Sequence, residues 1–285
     1  MDRDEIWQVI DDQRLSLADL FDDLSADEWR TPSLCHDWRV RDVAAHLTLA
    51  QMGAFPAMVA LSRARGNLDR MIRDTAVRQA RLPAGEYADL LRAMTGSRKK
   101  APGITDLEPL IDVLVHGQDI ALPLDRVRPM PASAAAAAAT RAWSMGRPFH
   151  AERKLTGLRL AATDHPWQAG QGPVVEGPIA AILLLITGRP AALSRLSGPG
   201  MTALHARLSP SPAQRRVSRW HQRAPHRAPL VLGGSAPDAE RHATVQRPAQ
   251  ARFPHQAPLA YLFDPIHLVQ RRSGAPIGKY NSGSC

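Results

Sequence analysis

The residues best suited to chemistry in this chain are His46, Asp112 and His116. Asp112 and His116 are four residues apart in the run DVLVHGQDIA, so on a helix both side chains project from one face. His46 lies in the run DWRVRDVAAHLTLA, which also reads as helical. Two imidazoles and one carboxylate are the ligand set of an open catalytic zinc site, whose fourth position accepts water or substrate. If the helices pack together, these residues predict a metal site inside a helical bundle.

The first part of the chain is predicted to supply those helices. Apolar residues recur at helical spacing in five segments, which are residues 3–24, 40–62, 67–80, 86–98 and 106–121. The second segment carries His46, and the last carries Asp112 and His116. The pattern predicts a bundle of four main helices with short additions.

The pattern changes after a helix predicted over residues 131–146. Residues 155–163 alternate in polarity, which predicts a strand, and a second short strand is predicted at 174–176. Apolar helices are predicted at 179–187 and 191–196. The fold class is therefore mainly α, a four-helix bundle followed by a small α+β domain. The predicted domains are residues 1–128, 129–210 and a basic tail, 211–285.

The tail differs from the rest of the chain in charge and in composition. The formal net charge is +9, and residues 211–285 hold 11 basic and 3 acidic residues, so most of the positive charge lies there. They also hold 9 of the 24 prolines, a density that argues against regular helix or sheet. Residues 259–269 are the one short stretch with an apolar pattern.

Two interpretations of the tail remain open. A disordered basic segment can bind nucleic acid or acidic surfaces through its charge. Alternatively, the tail is the product of a G+C-rich gene read out of frame past its normal end. The abrupt change in composition favours the second, and the tail lacks the interleaved aromatic residues that stack on bases. Nucleic acid is therefore not predicted as a partner.

Composition also bears on where the chain acts. The longest apolar stretch, residues 179–186, is far short of the roughly 20 residues that a membrane-spanning helix needs. The N-terminus is charged from residue 2 and has no signal-peptide core. The two cysteines, Cys35 and Cys285, do not form a disulfide framework. These features predict a cytoplasmic protein without a membrane partner.

Three separated motifs resemble one known family. They are SLCHDWRVRDVAAHL at 33–47, VLVHGQDIALPL at 113–124, and the block from LRLAATDHPW to LSGPG at 158–200. In this order they resemble the mycothiol-dependent maleylpyruvate isomerase family, whose N-terminal metal domain belongs to the wider DinB-like four-helix group. The resemblance covers roughly residues 5–208 and does not extend to the tail.

The resemblance implies a divalent metal ion, normally zinc, held by His46, Asp112 and His116, and mycothiol as the thiol cosubstrate. One departure is Asp112, because the family usually has glutamate there. Aspartate is one methylene shorter, so its helix must come closer or the metal affinity falls. A second departure is Arg39, where the family often has serine or threonine able to cap the helix.

Several residues near the motifs have two interpretations. Asp119 follows His116 by three residues and is either a partner of the second ring nitrogen or a solvent-facing acid. Cys35 is a reactive thiol or, more in keeping with its surroundings, a small buried residue. His36 lines the mouth of the site or lies on the surface.

An arginine would suit an acidic substrate, and Arg159, Arg189 and Arg207 are the candidates from the second domain. Two functions follow from these residues. The first is a zinc-dependent, mycothiol-using enzyme, an isomerase or thiol transferase acting on a small electrophile. The second is a non-enzymatic DinB-like module that binds a metal or ligand, which the departure at Asp112 favours slightly. Oligomeric state cannot be predicted from these patterns.

Overall fold

The computed structural model describes residues 1–101 and 103–208, which are mainly helical with one three-stranded sheet. The helices are α1 (Arg3–Asp22), α2 (Val40–Leu47), α3 (Ala54–Arg63), α4 (Leu68–Gln79), α5 (Ala84–Ala93), α6 (Leu107–Ala121), α7 (Ala132–Ser144), α8 (Ala151–Lys154), α9 (Ile179–Ile186) and α10 (Met201–Leu208). The strands are β1 (Arg159–Ala162), β2 (Gln168–Gly170) and β3 (Val174–Gly177). The predicted fold class, a helical bundle followed by a small α+β region, is confirmed. The predicted tail, residues 211–285, lies outside the described residues.

The bundle is formed by α1, α2, α5 and α6. Helix α1 packs against α5 and α6, and α2 packs against α6. Trp7, Ile10 and Leu17 on α1 are fully buried, as are Leu110 and Leu114 on α6. Burial of such side chains is the main favourable contribution to this packing. It holds the helix that carries His46 against the helix that carries Asp112 and His116.

The prediction of one continuous helix over residues 40–62 is wrong. Helix α2 ends at Leu47, and α3 begins at Ala54 after a turn, with Gly53 at its N-cap position. Pro56 lies in the first turn of α3. In a continuous helix its missing N–H would leave the Met52 carbonyl without a donor, and its ring would clash with that carbonyl. The chain avoids both costs by starting a new helix.

The start of α2 shows how the chain compensates for the unusual Arg39. An arginine cannot accept a hydrogen bond from the first turn, as serine or threonine would. Instead, the Asp42 carboxylate accepts from the Arg39 backbone N–H at 2.9 Å and from its guanidinium at 3.0 and 3.1 Å. This acid also suits the positive end of the helix dipole. The helix that carries His46 therefore begins at a well-defined residue.

The α+β region packs on the bundle through α7. Helix α7 contacts both α6 and α9, and α9 is almost entirely buried. The strand order is β2-β1-β3, with β1 antiparallel to β2 and parallel to β3. Strand β2 was not predicted, and the short helix predicted at 191–196 is a 3₁₀ helix over residues 190–195. The predicted domain boundary at residue 128 stays a prediction. Within the described residues, no helix has both the length and the apolar character that a membrane span requires.

The sheet depends on a glycine at position 172. Gly172 has φ +126°, and a Cβ atom there would lie 2.3 Å from the Gly157 carbonyl oxygen. We expect Gly172→Ala to lower the free energy of unfolding by about 1–3 kcal/mol, the usual cost of holding a side chain in such a conformation. Urea denaturation monitored by circular dichroism measures this difference.

Gly85 provides the matched control. It lies in α5, and a Cβ atom there would have no neighbour within 4 Å. Alanine is the better helix former, so Gly85→Ala should leave the stability unchanged or raise it by up to about 1 kcal/mol. Equal effects of the two substitutions would contradict the expected role of the backbone at Gly172.

Candidate metal centre

The structure brings His46, Asp112 and His116 together at the interface between α2 and α6. The Asp112 Oδ1 atom lies 3.2 Å from His46 Nε2 and 3.4 Å from His116 Nε2. The potential ligand atoms of the three residues all lie within 4.8 Å of one another. His116 is fully buried, whereas the side chains of His46 and Asp112 are partly exposed. One side of the cluster is therefore accessible from solvent.

These separations fit the requirements of a zinc ion. Zinc–nitrogen and zinc–oxygen distances near 2.1 Å and a tetrahedral angle place two ligand atoms about 3.4 Å apart. Both separations measured from Asp112 Oδ1 are close to that value. The shorter acid therefore reaches both imidazoles in this chain. His46, Asp112 and His116 could hold a divalent ion with a fourth position left open.

The Asp112 carboxylate lies among positive or potentially positive groups. Burial by itself raises the pKa of Asp112, but His46, His116 and Arg14 outweigh that effect and hold the pKa below its ordinary value. The carboxyl group is therefore ionised at neutral pH. An ionised carboxylate is the form that binds a metal ion.

His116 is held by a second carboxylate on its other ring nitrogen. The His116 Nδ1 atom lies 2.8 Å from Asp119 Oδ2, and both side chains are fully buried. Because an ionised carboxylate only accepts hydrogen bonds, Nδ1 must carry the proton and donate it. When His116 is neutral, protonation at Nδ1 leaves the lone pair on Nε2, the atom that faces Asp112. Such carboxylate–histidine pairs orient the imidazoles of metal sites.

Asp119 is in turn paired with Arg189. The guanidinium donates from Nε to Oδ1 at 3.0 Å and from Nη2 to Oδ2 at 2.6 Å, and Arg189 is 2% exposed. Burial raises the pKa of Asp119, but Arg189 and His116 more than offset it and hold the pKa well below its ordinary value. Asp119 therefore stays ionised, so that it orients His116 over the whole physiological pH range.

Cys35 completes this buried network. Its thiol lies 3.1 Å from Asp119 Oδ2 and donates to it. Burial, followed by the charge of Asp119, raises the pKa of the Cys35 thiol well above its ordinary value. The group is therefore a neutral hydrogen-bond donor and a poor nucleophile.

Cys35, His116 and Asp119 also form a compact set of potential metal ligands. The Arg189 guanidinium, however, already binds both oxygens of Asp119. A cation placed among these residues would be repelled by that guanidinium at short range. We therefore assign hydrogen bonding, and not metal binding, to this second set.

The other residues singled out from the sequence lie in different surroundings. His36 is exposed and pairs with Asp37 at 3.0 Å. Arg159 and Arg207 are exposed on the α+β region. Arg189, a candidate for holding an acidic substrate, is bound to Asp119 instead. Trp38 packs on the His46 ring at 5.5 Å between ring centroids.

Sequence reasoning missed Arg14, whose charge acts on the cluster from α1. Arg14 is 3% exposed and contributes to the low pKa of Asp112. Its Nη1 atom donates to Asp11 Oδ1 at 3.3 Å and to the Met94 carbonyl at 3.2 Å. The sequence could have indicated this buried charge, because Arg14 interrupts the apolar stripe of α1 between Ile10 and Leu17.

Comparison with known proteins agrees with the sequence motifs. Residues 10–121 match the family described as mycothiol maleylpyruvate isomerase N-terminal domain. Among solved structures, the chain is similar to the crystal structure of the mycothiol-dependent maleylpyruvate isomerase. The two share 14% identity over 68% of this chain and 90% of that chain, with a TM-score of 0.47. No curated protein matches the chain.

The matched segment runs from the middle of α1 to the end of α6. It contains His46, Asp112, His116 and Asp119, which the structure gathers at one interface. The resemblance predicted from the motifs is confirmed over this segment. Residues 10–121 are therefore similar to the N-terminal domain of the mycothiol maleylpyruvate isomerase family.

Proposed function

We propose that this chain is a zinc-dependent enzyme that uses mycothiol to isomerise, or to transfer the thiol to, a small electrophilic substrate. The observation that carries the proposal is the placement of Asp112 Oδ1 at 3.2 and 3.4 Å from two imidazole nitrogens, a spacing that suits ligands of one zinc ion. The match of residues 10–121 to the mycothiol isomerase domain supports the choice of thiol.

His46, Asp112 and His116 would hold the metal ion, which is zinc or another divalent ion. Zinc, when bound, would lower the pKa of a thiol at its open position, so that the thiolate is available near neutral pH. Asp119 orients His116 by accepting the proton of Nδ1, and Arg189 keeps Asp119 ionised. In an isomerisation, thiolate adds to an activated double bond, the resulting single bond rotates, and the thiolate leaves unchanged.

The buried network supports a catalytic role for His116 in particular. A histidine held only for packing does not need a carboxylate on each ring nitrogen, both of them buried or partly buried. Here Asp112 and Asp119 lie on opposite sides of the same imidazole. That arrangement presents Nε2 to a cation in a single direction.

A second candidate is a non-enzymatic module that binds a metal or ligand through the same bundle. The substitution of aspartate for the usual glutamate at position 112 favoured it. The close approach of Asp112 to both imidazoles weighs against it, because the shorter side chain still reaches the metal position. The two candidates differ in one measurable respect, which is thiol-dependent turnover.

We also propose a cytoplasmic location, because the thiol must be kept reduced to act as a nucleophile. The partners proposed are a low-molecular-weight thiol and a small electrophile, and nucleic acid is not among them.

The test begins with the full chain purified without chelator. Elemental analysis should find about one zinc ion per chain. The chain is then supplied with mycothiol and a panel of activated alkenes, such as maleyl compounds. The rate at which it isomerises each alkene, or joins the thiol to it, is measured before and after zinc is removed. We expect turnover that needs both mycothiol and zinc and that returns when zinc is restored.

His36→Ala is the matched control, because His36 is exposed and close to the motif but is not in the metal cluster. It should retain both zinc and turnover. Zinc bound without any thiol-dependent turnover would favour the non-enzymatic module. A chain that takes up no zinc even when zinc is supplied would refute the proposed metal site.

A further inference from the structure

Helix α3 has an apolar face that is exposed to solvent. The helix packs mainly on α4, and of its ten residues only Ala60 is buried. Phe55 and Met58 are three residues apart, which makes them neighbours on one face, and they are 71% and 61% exposed. Large apolar side chains that adjoin one another on a surface mark a place where another molecule binds.

Helix α4 carries further exposed apolar side chains. Leu68 and Val77 are 41% and 44% exposed, although the helix packs on α2 and buries Ala76 completely. Among the described residues seven large apolar side chains are exposed, and four of them lie between residues 55 and 77. Residues 54–81, the α3–α4 pair, are therefore the part of the described chain in which exposed apolar surface is concentrated.

The α3–α4 pair also carries a concentrated positive charge. It holds six arginines and two aspartates, a net charge of +4, whereas the rest of residues 1–210 hold 19 basic and 22 acidic residues. The arginines, all of them exposed, are Arg63, Arg65, Arg70, Arg73, Arg78 and Arg81. Arg70 pairs with Asp74 at 3.4 Å. Because arginines outnumber acids three to one in this segment, its surface attracts anions.

Apolar side chains combined with arginines match the chemistry of an anionic lipid surface. Such a surface offers phosphates to the guanidinium groups and an apolar layer just below them. A second copy of the chain fits less well, because two segments of charge +4 would repel each other. Nucleic acid would satisfy the arginines, but it would leave Met58, Leu68 and Val77 in water.

We propose that the α3–α4 pair binds the surface of an anionic phospholipid bilayer, with Phe55 and Met58 inserted below the headgroups and the arginines on lipid phosphates. Because the sequence contains no segment long enough to span a bilayer, it predicted no membrane partner. A helix that lies on the surface does not need that length. The proposal is independent of zinc and of turnover, since it uses none of the residues in the metal cluster.

The test measures how the full chain sediments with sucrose-loaded lipid vesicles. One set of vesicles contains equal parts of phosphatidylglycerol and phosphatidylcholine, and the other contains phosphatidylcholine alone. We expect the chain to bind the anionic vesicles at least about tenfold more tightly and to be released as the salt concentration rises. Equal binding to both sets, or no binding to the anionic set, would overturn the inference.

Phe55→Gln/Met58→Gln tests insertion separately from charge. Both side chains are exposed and glutamine is a good helix former, so the variant should fold, which circular dichroism checks. It should bind the anionic vesicles at least about tenfold more weakly, because two apolar side chains no longer leave water. Leu15→Gln is the matched control on α1, where Leu15 is 39% exposed, and it should bind as the parent does.

Arg73→Gln/Arg78→Gln tests the contribution of the arginines. Loss of two charges at the lipid surface should weaken binding about 10- to 30-fold. Arg153→Gln/Arg195→Gln removes the same charge from exposed positions outside the α3–α4 pair, and it should change binding no more than about threefold. Equal weakening by the two double variants would overturn the inference, because binding would then follow net charge alone.

Hydrogen exchange on the full chain locates the bound segment, because the basic tail can also attract anionic lipid. The exchange of backbone amides is compared with and without anionic vesicles. We expect slower exchange over residues 54–81 when vesicles are present. Protection confined to residues 211–285 would assign lipid binding to the tail and overturn the role of the α3–α4 pair.

Discussion

Replacing Arg189 by methionine should lower the free energy of unfolding by about 3–5 kcal/mol, the cost of removing one partner of a buried ion pair. Arg189 donates two hydrogen bonds to Asp119, and both side chains are buried. Without the guanidinium, the Asp119 charge would remain in the core between a thiol and an imidazole. Chemical denaturation at pH 7 on the parent and variant chains measures the difference.

The pH dependence gives a second measurement of the same pair. The folded-state pKa of Asp119 lies below the unfolded value of about 3.9, so the pair contributes its full stability above that pH. As the pH falls below about 4, the unfolded chain binds a proton first, and this contribution is lost. The difference in free energy of unfolding between the parent and Arg189→Met should therefore become smaller as the pH falls below about 4.

Arg195→Met is the control, because Arg195 lies in the same segment but is exposed. It should change the stability by no more than about 0.5 kcal/mol. The double variant Asp119→Leu/Arg189→Met should be less destabilised than Arg189→Met, because neither charge is then buried alone. Equal free energies of unfolding for Arg189→Met and Arg195→Met would show that the ion pair between Arg189 and Asp119 does not stabilise the fold as expected.

Asp112→Asn should weaken zinc binding by at least about 100-fold, more than the 10- to 100-fold usually lost with a partner outside the ligand set. The amide is a far weaker ligand than a carboxylate, and it removes the negative charge that offsets the metal ion. Competition with a chromophoric chelator measures the zinc dissociation constant. Asp112→Glu should keep about one zinc per chain but bind it more weakly, because the packing of α2 against α6 suits the shorter acid.

Glu108→Gln is the control on the same helix. Glu108 lies one turn before Asp112 but pairs with Arg141 and Thr105, away from the metal cluster. The zinc affinity of the Glu108→Gln variant should equal that of the parent. Tighter zinc binding by Asp112→Glu would show that the interface is adapted to glutamate, contrary to the spacing found. Unchanged affinity in Asp112→Asn would exclude Asp112 as a ligand.

Local spacing in the sequence was enough to predict the candidate metal ligands. Asp112 and His116 share a helical face because they are four residues apart, and no tertiary information is needed for that statement. The break before α3 was also present in the sequence at Pro56, but apolar periodicity obscured it.

The partners of those ligands depended on contacts between distant parts of the chain. Asp119 meets Arg189 across 70 residues and Cys35 across 84. Sequence alone left Asp119 with two equal interpretations and Arg189 as a candidate for substrate binding. Periodicity shows which face of a helix is buried, but it does not show which residue of another element packs against that face.

The sequence by itself therefore determined the helical bundle, the small α+β region and the three candidate ligands, because these follow from periods of a few residues. The tertiary structure decided that Asp119 is hydrogen-bonded to His116, that Arg189 is enclosed with Asp119, and that Arg14 is buried on α1. The physical reason is that burial and charge pairing depend on several elements at once. A buried charge is explained only when the groups around it are known.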